Sequence, residues 1–251
     1  MEVASSNHTK PTTYPPDQLV SKIKVDEAKF NQLNCKPVGD EKLMKTYFTR
    51  NDGSKDYLEQ NYFSGLVYRF DSRSISKIKE AGGFYPRKPR DKDHRVLVPE
   101  VLQHTGLFFY NPVVSDKCTG IIATSKLISR TNATMFKDDD RLKHHYMIDT
   151  KMKDIQGLDP DYFRKNEYPC FEVCYEDTIP FSCIIGFFED KNYETFYLNK
   201  EYKGAFSWSA DNVVQHYQSE TTDKTPTNRS GVMSLMANNS TAKKVEQCVI
   251  L

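Results

Sequence analysis

The chain has 251 residues, of which 38% are hydrophobic and 27% charged. That is enough apolar material for the core of one ordinary domain with extensions, or of two small ones. A net charge of +1 excludes a general electrostatic attraction to nucleic acid. No apolar run approaches the roughly 20 residues a membrane-spanning helix needs, and six cysteines (35, 118, 170, 174, 183 and 248) show no regular metal spacing. Free thiols in a reducing compartment are the expectation.

Residues 1–14 are polar and read as disordered, without the apolar stretch behind a basic start that marks a secretory signal. Asp17 to Asn34 reads as an amphipathic helix, with Leu19, Val20, Ile23, Ala28, Phe30 and Leu33 on one side. Asp40 to Thr49 reads as a second short helix, followed by a turn at Asn51-Asp-Gly-Ser54. Leu66 to Phe70 then forms a short buried strand whose one cation is Arg69. A buried guanidinium is costly unless it meets an anion or several acceptors. A structural salt bridge to Asp71 is one reading, and a binding role is the other. Ser72 to Ala81 reads as a helix burying Ile75 and Ile78 and ended by Gly82-Gly83, before Phe84-Tyr-Pro-Arg87.

Arg87 to Arg95 is a dense charge run of the kind that forms solvated loops. His104 lies in Val101-Leu-Gln-His-Thr-Gly106 and, taken alone, is a packed helix histidine. Gly120 to Ser125 reads as a buried strand closing on two small hydroxyl residues, Thr124 and Ser125. Asp138-Asp-Asp140 reads as a charged turn, since scattered oxygens without a defined loop are a poor metal signal. Tyr146 to Ile148, the stretch around Glu172, Phe181 to Phe188, and one or two segments between Tyr193 and Trp208 complete the expected strands. From Ser219 the composition turns polar and reads as a tail. It stops with Cys248-Val-Ile-Leu251, a prenylation box of the geranylgeranyl type. One lipid chain supported by only Lys243 and Lys244 would give reversible membrane association.

Four of these stretches, in this order, resemble the catalytic subunits of the cholera toxin and pertussis toxin family, which transfer ADP-ribose from NAD to a protein. The first is Val67-Tyr-Arg-Phe-Asp-Ser-Arg73 with its following helix and Gly-Gly-Phe-x-Pro-Arg; the second is the segment around His104. The third is Thr119-Gly-Ile-Ile-Ala-Thr-Ser125, which is similar to the family's Ser-Thr-Ser strand. In the fourth, Glu172 precedes Val173 and lies seven residues before Ile179-Pro180, the family's interval, which selects it over Glu167 and Glu176. Two positions depart from the family. Ala123 stands where it has the serine that helps hold the glutamate, and Cys170 where it has Glu or Gln, so the acceptor type does not carry over.

The resemblance implies an α+β ADP-ribosyltransferase fold, with two packed antiparallel or mixed sheets around an NAD cleft and flanking helices. Residues 61–210 would form the catalytic domain, 1–60 a partly helical extension that packs on it or binds a target, and 211–251 the polar tail. Glu172 and His104 would be catalytic, while Arg69, Asp71, Arg73, Thr124 and Ser125 would hold NAD, with no metal. The charge run at Arg87 to Arg95 would be a flexible cover. Together with the prenylation box, these motifs suggest an effector delivered into a eukaryotic host cell without a signal peptide and lipidated by a host prenyltransferase. It would act at the host cytoplasm and membrane on a host protein such as a membrane-associated GTPase, and not on nucleic acid. An NAD glycohydrolase and a catalytically dead, lipid-anchored binding protein are the alternatives.

Overall fold

The computed structural model describes residues 15–49, 53–86, 121–128, 143–160, 171–189 and 193–222. In chain order these form α1 (Pro16–Leu19), β1 (Val20–Lys24), α2 (Glu27–Asn34), β2 (Gly39–Thr49), β3 (Lys55–Asp71), α3 (Ile75–Glu80), β4 (Gly83–Phe84) and β5 (Ile122–Ser125). There follow β6 (His144–Asp149), β7 (Gly157–Leu158), β8 (Glu172–Tyr175), β9 (Ile179–Pro180), β10 (Ile184–Phe188), β11 (Thr195–Asn199) and a last helix, α4 (Val213–Thr222). The class is α+β, with few helices around a large antiparallel sheet.

β3 is the axis of that sheet. At Tyr62 and Phe63 it is flanked by β2 and β7; at Tyr68 it is flanked by β6 and β5. The nine strands run β1-β11-β10-β6-β3-β5-β8-β7, with β2 added on β3, and a further β3–β7 pairing closes the path β3-β5-β8-β7 on itself. β4 and β9 make a separate two-stranded ribbon. The expected pair of packed sheets is therefore, among the described residues, one nine-stranded sheet and this ribbon. The physical reason is the length of β3: at 17 residues it pairs with different neighbours at its two ends.

Side chains on β3 alternate between two cores, as a pleated strand requires. Phe63 and Val67 join Ile75, Ile78, Phe84, Tyr146, Val173 and Tyr175 on one face. Leu66 and Tyr68 join Met147, Ile185, Phe188, Phe196 and Tyr217 on the other. A sheet covered on both faces explains why 66–68 is a continuous apolar run. Gly65 faces Gly39 at the end of the β2–β3 ladder; a side-chain carbon there would collide with the Val38 carbonyl and the Gly39 Cα.

Three expected elements differ. The helix expected over 17–34 is split by β1, which pairs with β11 from Val20↔Asn199 to Lys24↔Thr195. Asp26 then starts α2, its carboxylate accepting from the Ala28 N–H at 2.7 Å. The helix expected over 40–49 is β2, paired residue by residue with β3 from Gly39↔Gly65 to Thr49↔Lys55. Glu-Lys-Leu-Met-Lys is helix-favouring locally, but the long partner strand wins over a weak local preference. Finally, the stretch expected to lead straight into a polar tail contains α4, which buries Val213, Val214 and Tyr217. Residue 60 also falls inside β3, so the first sixty residues supply β1, β2 and the start of β3 to the same sheet. The expected helix at 72–81 is present as α3, and Gly82 follows it in the left-handed region at φ +81°.

Candidate active site

The arginine strand ends in a charged turn built by neighbours in sequence. Asp71, 8% exposed, accepts from Arg73 Nε at 2.9 Å, from Arg73 Nη2 at 2.8 Å and from the Arg73 backbone N–H at 3.0 Å. Arg69 Nε lies 3.5 Å from the same carboxylate. Burial alone would push Asp71 up, but the Arg73 hydrogen bonds and the charges of Arg69 and Arg73 outweigh it and hold the carboxyl below its usual range. The Asp71 hydrogen bond in turn raises Arg73. Both guanidiniums lie over the Phe84 ring, at 5.6 Å for Arg69 and 5.5 Å for Arg73. Tyr146 donates its O–H to the Arg73 carbonyl at 2.7 Å and closes the turn from below. Two cations against one carboxylate leave this end of β3 net positive, as an oxyanion site requires.

Arg69 also reaches sideways. Its Nη1 donates to the Ala123 carbonyl at 2.6 Å and ties β3 to β5. The sequence therefore allowed both readings of Arg69, and the structural ion pair with Asp71 is present.

β5 lies between the arginine strand and the glutamate strand. Ser125 is paired with Tyr68 of β3 on one side and with Glu172 of β8 on the other. Cross-strand partners share a face and successive residues alternate. Glu172, Ser125, Ala123 and Cys174 consequently occupy one face with Tyr68, while Arg69, Thr124 and Val173 occupy the other. The sheet brings the strands of Arg69, Ser125 and Glu172 together but sets Arg69 and Glu172 on opposite faces.

The two hydroxyls expected to serve NAD and the glutamate bond to backbone. Thr124 Oγ1 donates to the Val173 carbonyl at 3.0 Å. Ser125 Oγ donates to the Leu127 carbonyl at 2.8 Å and accepts from the Leu127 N–H at 3.2 Å. Glu172 itself is half-buried. Its Oε1 accepts from the Cys174 thiol at 3.7 Å. The residue before it, Phe171, is held in the left-handed region at φ +54°. That conformation is strained for a bulky residue, by about 1–2 kcal/mol. It aims the Phe171 carbonyl at the Lys126 N–H, 2.6 Å away, and so carries the β5–β8 ladder one step past Ser125↔Glu172.

Sequence reasoning missed two nearby groups. Phe84, the platform for both guanidiniums, was legible only as part of a motif. A network of buried Lys126, Asp159 and Asn61 with the exposed Glu41 gathers beside Phe63: Lys126 Nζ is 2.6 Å from Asp159 Oδ2 and 3.8 Å from Glu41 Oε1, and Asn61 Nδ2 is 3.4 Å from Asp159 Oδ2. It assembles from four distant segments, so no spacing in the chain announces it. His104, Cys170, Cys248, Asp138 to Asp140 and the charge run at 87–95 lie outside the described residues. Among the described residues there is no group of three or more His, Cys, Asp or Glu placed to hold a metal ion.

No protein-family model matches this chain, and no curated protein sequence matches it. Among solved structures it is similar to the A subunit of heat-labile enterotoxin, with 18% identity over 55% of this chain and 75% of that one. The TM-score is 0.32, too loose a likeness to carry an argument about fold or activity.

Proposed function

We propose that this chain is an NAD-dependent mono-ADP-ribosyltransferase acting on a protein, with Glu172 as its catalytic carboxylate. The observation that supports this reading is the ladder β3-β5-β8. Three motifs spread over a hundred residues of sequence are neighbours in it, and Ser125 pairs with the arginine strand on one side and with Glu172 on the other. In the reaction the bond between nicotinamide and ribose breaks. Its electron pair leaves with the nicotinamide nitrogen, and a nucleophile of the acceptor protein bonds to the ribose carbon. An ionised Glu172 beside that carbon stabilises the developing cation more than the ground state, which is what accelerates the step. The net-positive turn of Arg73, Asp71 and Arg69 over Phe84 supplies oxyanion-binding chemistry for a diphosphate. Arg69, on the face away from Glu172, acts mainly as a positioning residue through the Ala123 carbonyl.

The test is purified protein with labelled NAD and eukaryotic cell lysate, beside a Glu172→Gln variant. Label entering a discrete protein band with the wild type, and reduced on the order of 100-fold or more in the variant, is the expected result. Free ADP-ribose without labelled protein would replace the transferase by an NAD glycohydrolase.

A second reading is favoured by a specific observation. The Thr124 and Ser125 donors are spent on backbone, and Arg69 and Glu172 face apart, as in a fold that binds without turning over. Well-folded protein with no NAD consumption would establish that reading. A lipid anchor on Cys248 belongs to the proposal and rests on the sequence alone. Cys248→Ser is expected to release the protein from host membranes, and unchanged partitioning would remove the anchor.

A further inference from the structure

We infer that Cys174 is a positioning residue for Glu172, supplying from β8 itself a donor that the facing strand does not provide. The inference rests on the reading of Glu172 as the catalytic carboxylate.

The residues come together as follows. Ala123 and Cys174 are directly paired across β5 and β8, and Ser125 and Glu172 are the next pair on the same face. Four side chains thus share one patch. A methyl group at 123 has nothing to donate. The Ser125 hydroxyl gives its proton to the Leu127 carbonyl at 2.8 Å. The Cys174 thiol, two residues from Glu172 on its own strand, donates to Glu172 Oε1 at 3.7 Å.

The surroundings fix the thiol. Cys174 is 2% exposed and packs in a small core with Tyr62 and Leu158. Leu158 pairs with both Tyr62 and Cys174, so the sulfur is held by the closing turn of the β3-β5-β8-β7 path. A donor on a rigid strand orients a carboxylate better than one on a loop, because its own rotamer is locked by packing. A thiol is a weak donor, which suits a carboxylate that must stay ionised and available to a developing cation.

A hydrogen bond to the charged form favours that form, so removing it raises the pH at which Glu172 takes a proton. Cys174→Ala is expected to move the Glu172 carboxyl titration, followed by carbon-detected NMR, upward by roughly half a pH unit. The acid limb of NAD turnover should move with it, and kcat should fall several-fold with KM little changed. Cys174→Ser keeps a donor in the same place and should restore both profiles. Adding Ala123→Ser to Cys174→Ala places a hydroxyl on the facing strand, diagonal to Glu172 at a spacing of ~7–8 Å that its long side chain can span, and should restore them in part.

An unchanged Glu172 titration in Cys174→Ala overturns the inference. So does a Cys174→Ser variant whose titration departs from the wild type as far as an apolar substitution would, a comparison that survives if Cys174→Ala fails to fold. The NMR titration needs no turnover. If Glu172→Gln leaves NAD chemistry unaffected, the functional reading fails while the contact between Cys174 and Glu172 is still decided by the titration.

Discussion

The two ends of the β3–β6 ladder each bury a carboxylate, and they hold it in opposite ways. At the end where Asp71 faces His144, the carboxylate is gripped by Arg73, two residues along the chain, through two guanidinium hydrogen bonds and a backbone N–H. At the end where Leu66 faces Asp149, the carboxylate accepts from the Tyr202 O–H at 2.6 Å and the Tyr217 O–H at 2.7 Å, with the Met152 N–H at 3.2 Å. Those tyrosines are 53 and 68 residues away. The first carboxylate shapes a local turn with charge; the second fastens the C-terminal helix and the segment before it to the sheet with neutral donors. Burial comes first in raising both phenols, and the neighbouring Asp149 charge raises them further, so they remain protonated donors at any physiological pH.

The largest expected effect lies at the distant end. Asp149→Ala strands two buried phenol hydroxyls and should cost about 3–6 kcal/mol, at about 1.5–3 kcal/mol for each hydrogen bond to a charged group. It would be read as a fall in urea midpoint and as loss of protection along 213–222 in hydrogen exchange. A loss below 1 kcal/mol would mean that Asp149 does not anchor the helix.

Between the two ends, His145 separates burial from charge pairing. It is 2% exposed, stacked on Phe70 at 3.9 Å and hydrogen-bonded through Nδ1 to the Tyr193 hydroxyl at 3.0 Å. Burial pushes its pKa down to about 3. The unfolded chain takes this proton near pH 6.5 while the folded chain resists it. The unfolded state therefore binds more protons between about pH 6.5 and 3, and stability falls as pH falls through that window. The slope attributable to one such group is at most about 1.4 kcal/mol per pH unit. Urea titrations at pH 7, 5.5 and 4 should show a flatter loss for His145→Gln than for the wild type; parallel curves would assign the acid sensitivity elsewhere.

At the local end the expected effect is smaller. Asp71→Asn keeps the shape and removes the charge, and should cost about 1–2 kcal/mol near neutral pH, discounted because Arg73 is 37% exposed and partly screened by water. Asp71 is held below its usual range, so its contribution is present above about pH 4 and is lost as pH falls through the lower folded value. The gap between wild type and Asp71→Asn should close below that pH. Tyr217→Phe removes one of the two phenol bonds to Asp149, about 1.5–3 kcal/mol, and should loosen α4 while leaving the Asp71 turn untouched. Equal loosening of both ends would show that the ladder transmits what its two carboxylates do.

The same contrast explains what could be read from the chain. The strand at 66–70, the helix at 75–80 with its glycine stop, the strand of small hydroxyls and the strand of Glu172 were all legible. Each is announced by residues next to one another: apolar runs, a cap position, a Gly-Gly pair. The ion pair of Arg69 with Asp71 was legible too, since its partners are two positions apart. β1 and β2 were not. Their sequences satisfy a helical period as well as a strand, and only the β11 and β3 edges settle the matter. α4 was hidden because a polar composition concealed three buried residues, one of which, Tyr217, bonds Asp149 on a strand far upstream.

The sequence by itself determined the order of the signature strands and the identity of their charged residues, because local pattern and spacing are properties of the chain. Only the tertiary structure decided which face each of those residues takes. Register is set by a partner strand, and a shift of one residue turns every side chain over. That is why Arg69 and Glu172, both plain in the sequence, proved to lie on opposite faces of one sheet. For the same reason a cysteine without any motif of its own came to stand beside the glutamate.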